Sequence, residues 1–379
     1  MRTEEKKSLG LYIHVPFCRQ KCLYCDFCSV ANADGELIHK YVSALVGCLA
    51  EKSSLAKDYE VDTIYLGGGT PTVLPKDELE RVLDICFKEY SVRDDAEISV
   101  ECNPATASRE YFSDMLKMGI NRLSIGLQSM QERELRALGR IHDVKGFLDT
   151  FCDARDAGFQ NVSVDLMYGI PEQTMSSFSD TLKKVVEISP EHISAYCLKV
   201  EENTPFGRMG KSLVLPSEDE TCDMYELCCS HLADAGYGRY EISNFSKKGR
   251  ESKHNLRYWL GSDYLGIGAA AHSYFGGERY AYSPNIADFA NGEFLASERE
   301  KIDGREKMCE YVMLRMRLER GFAASDFVSN FGAEFLCEFP VAKNFIKSGH
   351  IKFDGENYSF SENGFFVSSY ILSEILDFS

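Results

Sequence analysis

The sequence has no long hydrophobic run, no basic block and a single tryptophan. Each absence excludes something. No stretch of ~18 apolar residues occurs, so no helix is expected to span a membrane. Lys and Arg are dispersed and the formal charge is −17. Nucleic-acid binding needs a basic face, so that class is excluded. The opening M-R-T-E-E-K-K-S-L-G lacks the apolar stretch of a secretion signal. These features lead to the expectation of a cytoplasmic protein that handles small molecules.

Cysteine is not scarce. There are 14 in 379 residues, and a reducing cytoplasm disfavours structural disulfides. Ten are scattered, Cys48, Cys86 and Cys102 among them, and most of these read as small buried hydrophobes. The adjacent Cys228 and Cys229 lie in a helical pattern and read as packing. The other four crowd into F-C-R-Q-K-C-L-Y-C-D-F-C, from Phe17 to Cys28. Cys18, Cys22 and Cys25 have the spacing C-x3-C-x2-C. Two metal readings stand. Four thiolates including Cys28 could close a zinc site, or three could hold a [4Fe–4S] cube with one iron left open for chemistry.

The first 240 residues alternate between strand and helix patterns. Strands are expected at 11–15, 62–66, 97–100, 122–127, 161–166 and 192–198. Helices are expected at 36–56, from Pro75, through Tyr111, Met115 and Leu116 to a stop at Gly119, and at 144–157 and 175–188. Six βα repeats imply an α/β fold with a parallel sheet and right-handed crossovers. Unusual residues follow nearly every strand: the cysteine loop, G-G-G-T-P-T (67–72), E-C-N-P (101–104), G-L-Q-S (126–129), D-L-M-Y-G-I-P (165–171) and K-V-E (199–201). In such folds the ligand lies at that end of the sheet.

The remainder differs. R-Y-E-I-S-N-F-S (239–246) reads as one more strand, and residues 241–300 as a connecting segment with the motif H-N-L-R-Y-W (254–259). Residues 301–379 read as helix, helix, hairpin, helix, with Asp354-Gly355 at the hairpin turn. That order is winged-helix-like. It carries 9 Lys+Arg against 12 Asp+Glu, so it is expected to pack or cover rather than to read DNA.

C-x3-C-x2-C with Tyr24 before its third cysteine resembles the signature of the radical S-adenosylmethionine (SAM) family. Y-I-H-V-P-F-C ahead of it, with G-G-G-T-P-T, resembles the coproporphyrinogen dehydrogenase and HemW branch over nearly the whole chain. The resemblance implies a partial (βα)6 barrel with a smaller C-terminal α+β module. It divides the chain into a radical SAM core (1–240), the connecting segment (241–300) and the module (301–379). It implies a [4Fe–4S] cluster on Cys18, Cys22 and Cys25, with SAM on the open iron.

The implied SAM contacts are Tyr12, Tyr24, Gly68, Gly69, Thr70, Glu101, Gln128, Arg140 and Asp165. The last two match residues that reach either a first or a second SAM. The loop glycines are expected to donate backbone N–H bonds, and Glu101 and Gln128 to meet ribose hydroxyls. Plainer roles remain open: a tight turn for the glycines, a core aromatic for Tyr12.

Two features divide the branch. The decarboxylating enzymes have a further cysteine where Phe27 stands, and a longer segment before the first cysteine. H-N-L-R-Y-W is similar to the H-N-x-x-Y-W of the heme-binding relatives. The implied function is therefore a heme carrier that serves client proteins, with His254 as heme ligand and Arg257 at a propionate. His272 is a second candidate ligand. In the plainer reading His254 caps a turn and Trp259 packs in a core. The alternative function is radical SAM decarboxylation of coproporphyrinogen III, an oxidoreductase activity.

Overall fold

The computed structural model describes residues 6–376. Six strands lie side by side and parallel: β1 (Lys7–Val15), β2 (Tyr59–Gly68), β3 (Val92–Cys102), β4 (Arg122–Gln128), β5 (Val162–Tyr168) and β6 (His192–Cys197). Their crossovers are α1 (Gly35–Lys52), α2 (Lys76–Glu89), α3 (Arg109–Lys117), α4 with α5 (Glu132–Ala137, Val144–Ala157) and α6 (Met175–Ile188). Sequence sets the helix ends. The Asp34 side chain accepts from Leu37 N–H at the start of α1, and Asp143 caps α5. Thr174 and Ser177 cap α6 reciprocally. Apolar stripes then bury against the sheet, as Tyr41, Leu45, Cys48 and Leu49 of α1 do.

Two expectations are adjusted. The first helix stops at Lys52 and tightens into a 3₁₀ turn over Ser53–Ala56. The single strand expected at 239–246 is two, β7 (Gly238–Arg239) and β8 (Asn244–Ser246), paired antiparallel. The chain reverses between them because the Glu241 carboxylate accepts from Ser243 N–H at 3.1 Å.

Residues 241–300 do more than connect. β9 (Tyr264–Ile267) pairs parallel with β1, and β10 (His272–Phe275) and β11 (Glu278–Ala281) continue antiparallel from it. On the other side β8 pairs antiparallel with β6. The sheet thus ends in short antiparallel strands on both edges and stays open. Side chains from β2 to β6, among them Tyr65, Glu101, Ser124, Asp165 and Ser194, converge on one cavity. The sheet is therefore curved into a partial barrel around that cavity.

A second core forms in the C-terminal module, around Phe327, Phe335, Phe339 and Ile371. Its helices Gly304–Arg315, Ala324–Phe331 and Ala342–Lys347 pack on a three-stranded antiparallel sheet of Phe322–Ala323, Ile351–Phe353 and Asn357–Phe360. The helix and strand order is that of a winged helix. Asp354 accepts from the N–H groups of Glu356 and Asn357, closing the hairpin turn.

Candidate cluster and cofactor site

The barrel encloses a cavity of about 340 Å³. Cys18, Cys22 and Cys25 reach it from the loop after β1, and Gly68, Gly69 and Thr70 from the loop after β2. Glu101, Gln128 and Asp165 reach it from β3, β4 and β5. Tyr24 and Arg140 complete that wall. One implied contact, Tyr12, is not on the cavity wall. Its hydroxyl lies 3.0 Å from His14 Nδ1, whose Nε2 is 2.8 Å from the Cys28 carbonyl. Tyr12 therefore braces the cysteine loop from behind.

The cysteine loop is tied down along its length. Leu23 N–H donates to Leu138 O at 3.1 Å, and Phe206 N–H to Leu23 O at 3.0 Å. The three cysteines of the C-x3-C-x2-C face the cavity, while the Cys28 thiol donates to Pro284 O at 3.2 Å outside it. Among the described residues no three Cys, His, Asp or Glu side chains gather around a single ion. With Cys28 turned away, three thiols remain on the cavity, one fewer than a closed four-thiolate zinc site needs and the number that leaves one iron of a cube open. The donor set therefore fits a [4Fe–4S] cluster with three protein ligands.

The glycine loop works differently from expectation. Gly68 N–H donates to Glu101 Oε2 at 3.0 Å, Gly69 N–H to Val15 O at 2.8 Å and Thr70 N–H to Phe17 O at 2.7 Å. All three donors are spent inside the protein. Thr70 O is also used, accepting from Val73 N–H at 3.0 Å, so the acceptors this loop can offer an ammonium group are the Gly68 and Gly69 carbonyls. Gly68 has φ +106°, and a Cβ there would fall 2.3 Å from the His14 ring. Glycine is required for packing against β1, not to leave room in the cavity.

Glu101 also accepts from the Tyr65 hydroxyl at 2.9 Å. Burial pushes its carboxyl up to about 7, against the pull of the Tyr65 and Gly68 donors and with Asp165 adding to the rise. Burial likewise raises Asp165, while hydrogen bonds from Ser194 and Ser124 and the charge of Arg122 oppose it. Gln128 sits at φ +74° beside a register shift between β4 and β5. A non-glycine residue in that conformation is strained, and here the strain turns its amide into the cavity.

H-N-L-R-Y-W forms α8 (Lys253–Trp259; α7 is Glu218–Asp234), capped by Ser252 and held by Glu97, which accepts from the N–H groups of Lys253 and His254. The helix plugs the barrel at the opposite end from the cysteine loop. His254 is expected to be a heme ligand, and the structure places it inside the fold. Its side chain is fully buried, with Nδ1 2.9 Å from Thr63 Oγ1 and Nε2 2.8 Å from the Tyr258 hydroxyl. Burial, with Arg257 and Arg122 nearby, pushes it down to about 3, so it is neutral. Neither nitrogen is free to bind iron. Arg257 is likewise not free for a propionate: it pairs with Asp62 and donates to Asp263 O.

Sequence reasoning missed several cavity residues. Asn103 lay within the quoted E-C-N-P but only its glutamate was picked out. Tyr65, Ser124 and Tyr196 are alternate residues of strands whose inward face follows from the period of two. Asn255, next to His254, is the motif residue that faces the cavity.

Residues 12–185 match the radical SAM superfamily profile. The solved E. coli coproporphyrinogen III oxidase (HemN), described as a radical SAM enzyme, superposes with a TM-score of 0.86 over 99% of this chain and 91% of that one. Its identity is 22%, so it speaks for the fold. The fold is that of a radical SAM protein, and that family implies a [4Fe–4S] cluster and SAM. Heme chaperone HemW of E. coli K12 is 36% identical, covering 94% of this chain and 95% of its own length. Heme chaperone HemW of Bacillus subtilis 168 is 34% identical, covering 90% and 92%. The chain belongs to the HemW family.

Proposed function

We propose that this protein is a heme chaperone: it binds heme, keeps a SAM-binding [4Fe–4S] cluster, and passes heme to client proteins. The observation that carries the reading is the segregation of the cysteines. Cys18, Cys22 and Cys25 face the cavity, Cys28 faces away, and Phe27, 63% exposed, stands at the wall where a decarboxylating enzyme would carry a further cysteine. A cluster of this kind, when bound and reduced, supplies one electron to the sulfonium of SAM.

This chain's residues do the positioning. Tyr24 and Arg140 flank the cysteines. The Gly68 and Gly69 carbonyls meet the ammonium end of SAM, Glu101 and Gln128 its ribose hydroxyls, and Asp165 the far wall. In this reading residues 1–240 carry the cluster and SAM, 241–300 the heme contact, and 301–379 cover the core.

For the heme contact, His272 replaces His254. Its side chain is exposed, and its ring has no hydrogen-bond partner among the described residues. It borders a groove of about 550 Å³ walled by Ala270, Ala281, Tyr282, Pro284 and Leu295. That lining suits a flat apolar macrocycle. The groove adjoins the back of the cysteine loop, where the Cys28 thiol meets Pro284 O.

The test is anaerobic reconstitution followed by two assays. Hemin should bind with a Soret band, and SAM with coproporphyrinogen III should give no protoporphyrinogen. Multiple turnovers in the second assay, with no response to hemin in the first, would replace the chaperone by the decarboxylase.

A further inference from the structure

Two of the cluster cysteines receive side-chain hydrogen bonds, and one residue aims both donors. Arg140 Nη1 donates to Cys22 Sγ at 3.3 Å, and Thr70 Oγ1 donates to Cys18 Sγ at 3.6 Å. Asn103 lies between them. Its Oδ1 accepts from Arg140 Nη2 at 2.7 Å and its Nδ2 donates to Thr70 Oγ1 at 2.6 Å.

The direction of each bond is forced. Guanidinium only donates, so the amide oxygen must face Arg140. The amide NH₂ therefore faces Thr70, and the Thr70 oxygen is occupied as an acceptor. Its own proton is left to point at Cys18. Arg140 is fixed further by Gly126 O at 2.6 Å. The fit is close: a Cβ at position 126 would lie 3.0 Å from Asn103 Oδ1 and 3.2 Å from Arg140 Nη2.

We infer that Asn103 is a positioning residue that sets the reduction potential of the cluster, by aiming Thr70 and Arg140 at the thiolates of Cys18 and Cys22. The inference rests on the cluster assignment of the proposed function. Donors on thiolate sulfur stabilise the negative charge that arrives on reduction, and so raise the potential.

The experiment is a redox titration of the reconstituted full chain, followed by electron paramagnetic resonance. Ti(III) citrate gives up one electron to the cluster and becomes Ti(IV). Iron content is measured on every sample. At full iron content, Thr70→Val should lower the potential and Asn103→Ala should lower it further, because both donors lose their aim. In the Thr70→Val background Asn103→Ala should shift it by less than in wild type, since only the Arg140 arm remains. Unchanged potentials at full iron content, or strictly additive shifts, overturn the inference. If Asn103→Ala fails to hold iron, Thr70→Val decides alone: a lower potential supports the network and an unchanged one overturns it. A wild-type protein that takes up no iron overturns the proposed function, and this inference with it.

Discussion

His254 and Tyr258 stand one helical turn apart in α8, with imidazole Nε2 2.8 Å from the phenol oxygen. Thr63 occupies the other nitrogen at 2.9 Å. A histidine used on both sides holds a helix to a sheet. His254→Ala should cost about 2–4 kcal/mol, since an unpaired buried polar group costs ~1–3 kcal/mol and a cavity is added. The urea midpoint of the apoprotein reads this. The hemin spectrum of the surviving folded protein should match wild type, whereas His272→Ala should shift its Soret band. The opposite pattern would return heme ligation to His254.

The cysteines make a second prediction. Cys18→Ala, Cys22→Ala and Cys25→Ala should each lose the broad absorbance of a thiolate-bound cluster after reconstitution. Cys28→Ala should keep it, because that thiol points at Pro284 O outside the cavity. Equal loss of iron from Cys28→Ala and Cys22→Ala would mean that the fourth iron is not open.

Gly68→Val separates two accounts of the glycine loop. A ligand-room account has it weaken SAM binding and spare the cluster. The geometry says otherwise. The new side chain meets His14, whose Nε2 holds the Cys28 carbonyl, and the backbone at φ +106° resists any β-branched residue. Cluster incorporation should fall along with SAM affinity. Iron analysis beside calorimetry decides; full iron with weak SAM binding would restore the ligand-room account.

How far the site was legible follows from what each residue's evidence was. Period and punctuation revealed the six parallel strands, because each apolar run ended in residues no buried strand needs. Spacing singled out Cys18, Cys22 and Cys25, which line the cavity together, but left the metal open until the family resemblance was weighed. Motif likeness suggested His254, but not that its ring would be buried and hydrogen-bonded on both sides. A helix motif says which residues sit one turn apart, but not which way its face turns, and Glu97, Thr63 and Asp62 turn it inward. Those partners lie more than 150 positions away. The reversal at 239–246 was hidden for a related reason. Its turn depends on the buried Glu241 carboxylate, which in sequence reads as the polar residue of an alternating strand. Asn103 escaped because its importance lies in the direction of two hydrogen bonds, which spacing does not encode.

The last prediction concerns pH. Glu101 is pushed up to about 7 by burial, from an ordinary value of 4.5 in the unfolded chain. The folded protein therefore holds that proton more tightly than the unfolded one. Its contribution to stability is fully present below pH 4.5 and is lost as pH rises through about 7. Glu241 is pushed up to about 7 as well, so the wild-type slope belongs to more than one group. The difference between wild type and Glu101→Gln isolates one of them. Gln can still accept from Gly68 N–H and carries no charge to bury. The apoprotein of Glu101→Gln should gain stability relative to wild type as pH rises from 5.5, with most of the gain on the acid side of about 7 and a plateau above it, where the folded carboxyl is ionised as well. Urea midpoints at several pH values measure it. A difference that stays constant across the range would mean that the Glu101 carboxylate is already ionised at the lower end, and that the Tyr65 and Gly68 donors outweigh its burial.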